Sequence, residues 1–141
     1  MKKKVMVFGA FDGLHQGHLD FFRQAREFGD FLIVSLGTDK NVEKTKGKKP
    51  LFRENERLDL IKQLKTVDKA VLGSQTDYFL HIKQYSPDVI CLGYDQWAQE
   101  DHVRKELDKV GLAKTEIYRL RPFEVTRAKS TILKKKSVEF N

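Results

Sequence analysis

Two histidines lie among glycines near the start of the chain, where they could bind phosphate. His15 and His18 are three residues apart, and Gly17 stands between them. They follow a short apolar stretch and lead into a segment of helical periodicity. We therefore expect both imidazoles at a helix N-terminus, where free N–H groups and the helix dipole attract phosphate. A neutral imidazole donates one hydrogen bond to a phosphate oxygen, so the pair could stabilise a pentacoordinate phosphorus.

The same spacing has other interpretations. The two histidines could simply cap or pack the helix. A zinc site is disfavoured, because no third His or Cys lies near and zinc needs at least three protein ligands. The common nucleotide motifs are absent, since the glycines at positions 9, 13 and 17 do not fit G-x-G-x-x-G and no G-K-[ST] follows.

Short apolar runs alternate with segments of helical periodicity, the pattern of a parallel sheet built from strand–helix–strand units. We expect an α/β fold with a Rossmann-like open parallel sheet of about five strands flanked by helices, in a single domain. Gly29 should end the first helix, and Ser130 could cap a short last one. Ligands of such sheets bind beyond the carboxyl ends of the strands. Strands are predicted at 4–8, 31–36, 69–72, 89–92 and 116–120, and helices at 18–28, 53–65, 78–85 and 100–110.

A net charge of +7 favours an anionic partner: nucleic acid, a membrane surface or a polyphosphate ligand. Five lysines stand in residues 40–49, which we expect to form a mobile loop that polyphosphate orders, and five basic residues stand in 127–136. Such runs are also common in solvated loops and tails. A nucleic-acid partner is disfavoured, because residues 40–49 contain no aromatic side chain on which bases could stack.

The N-terminal apolar stretch is too short for a signal peptide or a membrane span, and we interpret it as the first strand. Cys91 is the only cysteine, so no disulfide can form within the chain. Its apolar neighbours favour a place in the core. We therefore expect a cytoplasmic protein with no membrane partner.

The residues around the two histidines resemble a known family. The H-x-G-H signature of the cytidylyltransferase-like nucleotidyltransferase superfamily is similar to His15-Gln16-Gly17-His18, which follows Gly9-Ala10-Phe11-Asp12. The resemblance continues in the family's order through 32–34, 46–50, 54–57, 67–73 and 87–96, nearly the whole chain. Segments 46–50, 67–74 and 92–96 look most like the archaeal-type FAD synthases. Glycerol-3-phosphate and ethanolamine-phosphate cytidylyltransferases are similar in overall plan.

This resemblance implies an enzyme that transfers a nucleoside monophosphate from ATP or CTP to a phosphate-monoester acceptor and releases pyrophosphate. Mg²⁺ would be bound with the NTP. FMN is the favoured acceptor, and glycerol 3-phosphate or phosphoethanolamine is the alternative. Many relatives form dimers, so a homodimer is expected. The alternative of another class is a non-catalytic nucleotide-binding or nucleic-acid-binding module.

The resemblance also implies roles for individual residues. Catalytic roles fall on His15, His18 and Lys46, although Lys46 could be an ordinary solvated lysine. No protein ligand for a metal is assigned. Acceptor contacts are implied for Asp12, Asp39, Tyr94 and Trp97. Nucleotide contacts are implied for Gly9, Ala10, Phe11, Gly17, Arg57, Gly93, Asp95, Arg127, Ser130 and Thr131.

The sequence departs from the family pattern at two places, and one implied role has a simpler structural alternative. Ala10 stands where many family members carry Thr, so the resemblance implies no hydroxyl contact from this position to the nucleotide phosphates. The tail has Arg127-Ala128-Lys129-Ser130-Thr131 where the family often has R-T-x-G-[IV]-S-[ST], so only Ser130, Thr131 and Arg127 carry over. Arg57 could form a surface ion pair with Glu54.

Overall fold

The computed structural model describes residues 2–96 and 98–123 of the chain. In this part of the chain, five parallel strands form one open sheet with the order β3-β2-β1-β4-β5. The chain adds β2 and β3 on one side of β1 and then crosses back after β3 to add β4 and β5 on the other side, so the strand order reverses beside β1. The strands are β1 (Lys4–Gly9), β2 (Phe31–Leu36), β3 (Lys69–Leu72), β4 (Val89–Leu92) and β5 (Glu116–Arg119).

Helices cover both faces of this sheet and bury two hydrophobic clusters. Alternate residues of β1 serve the two faces, since Val5 and Val7 belong to one cluster and Met6 and Phe8 to the other. The first and third helices supply the first cluster, and the fourth and fifth supply the second. The helices are α1 (Gln16–Arg26), α2 (Asp39–Lys46), α3 (Glu54–Lys62), α4 (Tyr78–Tyr85) and α5 (Glu100–Lys109).

The sequence prediction of an α/β fold with an open parallel sheet is confirmed. The strands at 31–36, 69–72 and 89–92 and the helix at 78–85 have the predicted bounds. The first helix begins at Gln16, earlier than predicted. Gly29 does not end that helix, whose C-cap is Glu27. Instead, a Cβ on Gly29 would lie 2.5 Å from the carbonyl oxygen of Lys3, so glycine is required there for close approach.

The prediction of a loop over residues 40–49 is wrong, because most of this stretch is helix α2. Thr38 caps its N-terminus by accepting a hydrogen bond from the Asn41 N–H at 3.2 Å, and Gly47 ends it with φ of 77°. Val42 is the one buried residue of the helix. The short helix therefore lacks the apolar stripe that makes longer helices visible in a sequence.

The predicted last helix, with its cap at Ser130, lies outside the described residues. Within the described residues, no helix combines the length and the apolar composition needed to cross a membrane.

Substitutions at two neighbouring aliphatic residues of α3 test how the sheet and this helix are held together. Ile61 is fully buried, whereas Leu60 is 46% exposed. Ile61→Ala should lower the free energy of unfolding by about 2–5 kcal/mol, because it leaves a cavity in a close-packed core. Leu60→Ala is the matched control and should change it by less than about 0.5 kcal/mol. Urea denaturation of both variants provides the measurement, and equal losses would contradict this packing.

Candidate active site

A pocket of about 910 Å³ opens at the carboxyl edge of the sheet, above β1 and β4. Its walls are the loop after β1, the N-terminus of α1, the end of α2, the loop after β4 and the segment after β5. This is the position expected for a ligand site in an open α/β sheet. Of the residues singled out from the sequence, the pocket brings together Gly9, Ala10, Phe11, Asp12, His15, Gly17, His18, Lys46, Gly93, Tyr94 and Asp95.

The two histidines form the cap of α1. His15 is the N-cap residue, and its Nδ1 accepts a hydrogen bond from the Gly17 N–H at 3.1 Å. His18 Nδ1 accepts from the His15 N–H at 3.3 Å. The rings stack with their centroids 3.7 Å apart. An Nδ1 that accepts a hydrogen bond carries no proton, so a neutral ring has its proton on Nε2. Capping therefore leaves one N–H donor on each ring for a ligand.

Gly17 is needed for this arrangement. A Cβ at Gly17 would lie 2.8 Å from Cε1 of the His15 ring and 3.0 Å from its Nδ1, closer than carbon atoms pack. Any side chain at this position would displace the imidazole that caps the helix. The glycine between the histidines therefore serves the His15 ring directly, in addition to any room it leaves for a ligand.

His18 is half-buried, and its pKa is lowered to about 4. Burial is the largest cause, and the nearby charges of His15 and Lys46 act in the same direction. His18 is therefore neutral at pH 7 and holds its Nε2 proton as a hydrogen-bond donor. Lys46, the last residue of α2, is exposed and lines the pocket, where its charge helps to lower the pKa of His18.

Phe11 packs against His18. Its ring is buried and meets the His18 ring edge-on, with 5.4 Å between centroids. Gly9 lies over the same ring, since a Cβ there would be 2.7 Å from Phe11 Cζ. Phe11 has φ of 50°, a left-handed conformation that costs free energy in a residue with a side chain. The packing around its ring holds this strained turn in place.

Asp12 fixes a neighbouring segment. Its carboxylate accepts hydrogen bonds from the N–H groups of Leu51 at 2.6 Å and Phe52 at 2.9 Å. Burial alone would raise the pKa of Asp12, but these two bonds and the charges of Arg57 and Lys46 outweigh it and lower the pKa. No bond joins Asp12 to either histidine. The carboxylate lines the pocket while tying the connection between α2 and α3 to the loop after β1.

Arg57 does not face the pocket, which corrects its expected role as a nucleotide contact. Its side chain is fully buried, and its hydrogen bonds go to backbone carbonyls and to the Asp39 carboxylate at 2.8 Å. The alternative interpretation, a surface ion pair between Arg57 and Glu54, is also wrong. Glu54 instead accepts a hydrogen bond from the Asp39 N–H at 2.9 Å. Asp39 is occupied by this contact and does not line the pocket, which counts against its expected role in acceptor binding.

The loop after β4 forms the opposite wall. Tyr94 is 59% exposed and, with Gly93 and Asp95, lines the pocket. No role was predicted for Gln96, yet its side-chain amide donates to the Phe8 carbonyl at 2.7 Å and accepts from the Gly93 N–H at 2.8 Å. This amide connects the ends of β1 and β4.

Arg121 and Phe123 also line the pocket, and neither was expected. The backbone of Arg121 is held on both sides by the Gln24 amide, at 2.9 and 3.0 Å. Phe123 lies near the start of α1, with its Cβ 3.8 Å from a Cβ built at Gly17. Only the position of these residues just beyond a predicted strand could have drawn attention to them. Trp97, Arg127, Ser130 and Thr131 lie outside the described residues.

The described residues do not build a metal site of their own. No group of three or more His, Cys, Asp or Glu side chains in residues 2–96 and 98–123 is arranged to hold a metal ion. We therefore assign no protein ligand for a metal ion among these residues.

The low pKa of His18 can be measured directly. The C2 proton resonance of His18 should titrate near pH 4 rather than near the ordinary value of 6.5. Between these values the unfolded chain binds more protons than the folded one, so stability should fall as the pH drops from 6.5 towards 4. Lys46→Gln should raise this pKa, because it removes one of the causes. Lys44→Gln, on the same helix but outside the pocket, is the control. A wild-type midpoint near 6.5 would contradict the described burial.

The amino-acid sequence is similar to those of known nucleotidyltransferases. Residues 6–136 match the Cytidylyltransferase-like family. The chain is 37% identical to the FAD synthase of Thermoplasma acidophilum over 136 residues, which cover 96% of this chain and 94% of the relative. It is 46% identical to the FAD synthase of Methanosarcina acetivorans over 109 residues, 77% of this chain and 71% of the relative.

Solved structures share the architecture. The lipopolysaccharide core biosynthesis protein from Thermoplasma volcanium GSS1 aligns with a TM-score of 0.84 and 36% identity, covering 88% of this chain and all of that one. Pantoate-beta-alanine ligase from Francisella tularensis is similar in fold alone, with a TM-score of 0.57 and 18% identity over 95% of this chain and 69% of that one. The chain therefore belongs to the cytidylyltransferase-like family, and it is a nucleotidyltransferase.

Proposed function

We propose that the protein is an FAD synthase, which transfers AMP from ATP to FMN and releases pyrophosphate. The observation that carries this proposal is the stacked imidazole pair, which caps α1 through Nδ1 and keeps its Nε2–H groups for a ligand in the pocket. The relatives named FAD synthase supply the acceptor.

For this reaction the protein has to position the two substrates and stabilise the negative charge on their phosphates. A phosphate monoester has a second pKa of about 6, so FMN is largely a dianion at pH 7 and needs no general base. An oxygen of the FMN phosphate attacks the α-phosphorus of ATP, and the bond from that phosphorus to the bridging oxygen of pyrophosphate breaks. His15 and His18 donate hydrogen bonds to phosphate oxygens as negative charge shifts among them. Lys46 adds a positive charge beside them.

The neutral state of His18 suits this role. With a pKa of about 4, the ring keeps a single proton on Nε2 at pH 7 and donates without losing it. The same ring would repel a neighbouring Lys46 ammonium if it were charged. The low pKa therefore allows a lysine and two imidazoles to share one phosphate site.

The size and lining of the pocket fit two substrates. Its volume of about 910 Å³ is at the upper end of the usual range of about 300–1,000 Å³ for ligand pockets. Tyr94 is exposed on the wall opposite the histidines. An aromatic acceptor such as the flavin ring gains from stacking on Tyr94, whereas a polyol or amino-alcohol phosphate does not.

Mg²⁺ enters as part of the NTP substrate and neutralises charge on its phosphates. By family resemblance, Arg127, Ser130 and Thr131 hold the nucleotide phosphates, Trp97 contacts the flavin, and the enzyme is a homodimer. Each of these assignments depends on the resemblance alone.

Replacing either histidine tests the catalytic assignment. His15→Ala and His18→Ala should each lower kcat at least about a hundredfold, roughly 3 kcal/mol of transition-state stabilisation. His102→Ala is the matched control, because His102 is exposed on α5 and does not line the pocket. Circular dichroism should show that all three variants are folded. Near-normal turnover in a folded His15 or His18 variant would overturn the assignment.

Pyrophosphate release identifies the substrates. ATP and CTP are each tested with FMN, glycerol 3-phosphate and phosphoethanolamine, and rapid release is expected for ATP with FMN. Tyr94→Ala should raise the KM for FMN about fivefold through lost stacking, roughly 1 kcal/mol, and leave the KM for ATP nearly unchanged. Tyr118→Ala, at a surface tyrosine outside the pocket, is the control. Turnover of a polyol or amino-alcohol phosphate without any product from FMN would favour a cytidylyltransferase instead.

A further inference from the structure

Two arginines lie behind the pocket and bind the backbone of its walls. Arg57 reaches the loops after β1 and β2. Its Nη1 donates to the carbonyls of Ala10 at 2.9 Å and Gly37 at 2.8 Å, and its Nε donates to the Phe52 carbonyl at 3.0 Å. Its Nη2 donates to Asp39 at 2.8 Å. The side chain is fully buried, so its donors serve the protein itself.

Arg119 does the same on the other side of the pocket. Its Nη1 donates to the carbonyls of Gly93 at 2.8 Å and Gln96 at 3.0 Å, and its Nη2 donates to the Ala98 carbonyl at 2.6 Å. Glu100 pairs with the same guanidinium. Arg119 ends β5 and does not line the pocket. Among their partners, Ala10 for Arg57 and Gly93 and Gln96 for Arg119 are residues that do line the pocket.

The direction of these carbonyls determines what the pocket presents to a ligand. The described peptide bonds are trans, so when a carbonyl turns towards one side, the N–H of the next residue turns to the other. The Ala10 carbonyl turns towards Arg57, and the Gly93 carbonyl turns towards Arg119 and also accepts from the Gln96 N–H at 3.1 Å. The next N–H groups belong to Phe11 and Tyr94, which both line it. Within the described residues, neither N–H has a hydrogen-bond acceptor.

The affinity for an anionic ligand depends on whether the carbonyl or the N–H of each peptide faces the pocket. A carbonyl oxygen carries partial negative charge and would repel a triphosphate, whereas a backbone N–H attracts it. The left-handed conformation of Phe11 also fits a turn whose N–H groups face a bound anion. Holding such a strained turn requires surrounding contacts, and the buried Arg57 provides one of them.

We propose that Arg57 and Arg119 are a pair of positioning residues, each turning the carbonyls of one pocket wall away from the nucleotide and leaving the N–H of the next residue to face it. This inference rests on the proposed function, because it takes the pocket to hold an NTP. It also replaces the direct nucleotide contact that the sequence suggested for Arg57. Neither guanidinium touches the substrate.

The chain contains a matched control for this proposal. Arg104 also binds backbone carbonyls, those of Leu112 at 2.7 Å and Thr115, and pairs with Asp108. These carbonyls precede β5 and lie at the opposite edge of the parallel sheet from the pocket. Arg104→Met therefore removes a similar set of bonds without disturbing the pocket walls.

The test compares three variants: Arg57→Met, Arg119→Met and Arg104→Met. Titration calorimetry measures their binding of Mg·ATP without acceptor, and steady-state kinetics then give kcat and the KM values of both substrates. All three should unfold at lower temperature. The Arg57 and Arg119 variants should bind Mg·ATP about tenfold or more weakly, the effect expected when hydrogen bonds to a charged group are lost. Arg104→Met should keep all constants within about twofold. Folded Arg57 and Arg119 variants that match Arg104→Met would overturn the proposal.

Lysine variants separate position from charge. Arg57→Lys and Arg119→Lys keep the positive charge, but one ammonium cannot span the carbonyls that a guanidinium fork reaches. The lysine variants should therefore bind Mg·ATP almost as weakly as the methionine variants. Lysine variants with the wild-type affinity for Mg·ATP would overturn a positioning role. They also carry the test if Arg57→Met does not fold. Failure of the wild-type protein to bind Mg·ATP would overturn the proposed function together with this inference, whereas normal wild-type binding with unaffected variants would overturn the inference alone.

Discussion

The separation of β1 from β4 is the constraint on which the rest of the site depends. β1 pairs with β2 along its whole length, but with β4 only at Val5 with Val89 and Met6 with Ile90. Beyond these pairs the two strands part and the pocket opens. Backbone groups that lose ladder partners in this way must find others when water is excluded. The side-chain amide of Gln96 supplies two such partners. It donates to the Phe8 carbonyl on one side of the gap and accepts from the Gly93 N–H on the other.

The histidines show how structural and chemical roles can share one side chain. Helix capping and ligand binding were alternatives at the level of the sequence, and the geometry makes them compatible because each uses a different ring nitrogen. The cap engages Nδ1, which fixes the orientation and tautomer of His15 and His18 and leaves Nε2–H free to donate. The helix that the histidines cap is also the helix whose N-terminus attracts phosphate.

Local sequence patterns predicted all five strands that the structure describes, because short Val, Ile and Leu runs alternate with amphipathic segments. The candidate site residues 9–18 after β1 could also be predicted, since they are neighbours in the chain. Helix α2 was missed because only Val42 of its residues is buried. Arg57 was misjudged for a different reason, which also kept the two backbone contacts of Asp12 out of the sequence prediction. Their partners lie up to 47 residues away, and a contact of that span has no trace in local periodicity.

The positions of the charges explain why net charge is a poor guide to this site. Among the described residues, Lys46 and Arg121 are the lysine and arginine that line the pocket, while Arg57 and Arg119 use their charges on backbone carbonyls. In the proposed complex, the other donors that face the nucleotide are therefore neutral: imidazole Nε2–H groups and backbone N–H groups. Nucleotidyl transfer moves negative charge between oxygens without changing its total. Fixed directional donors can stabilise one distribution of that charge over another, whereas a mobile cation binds both almost equally and contributes less to the rate.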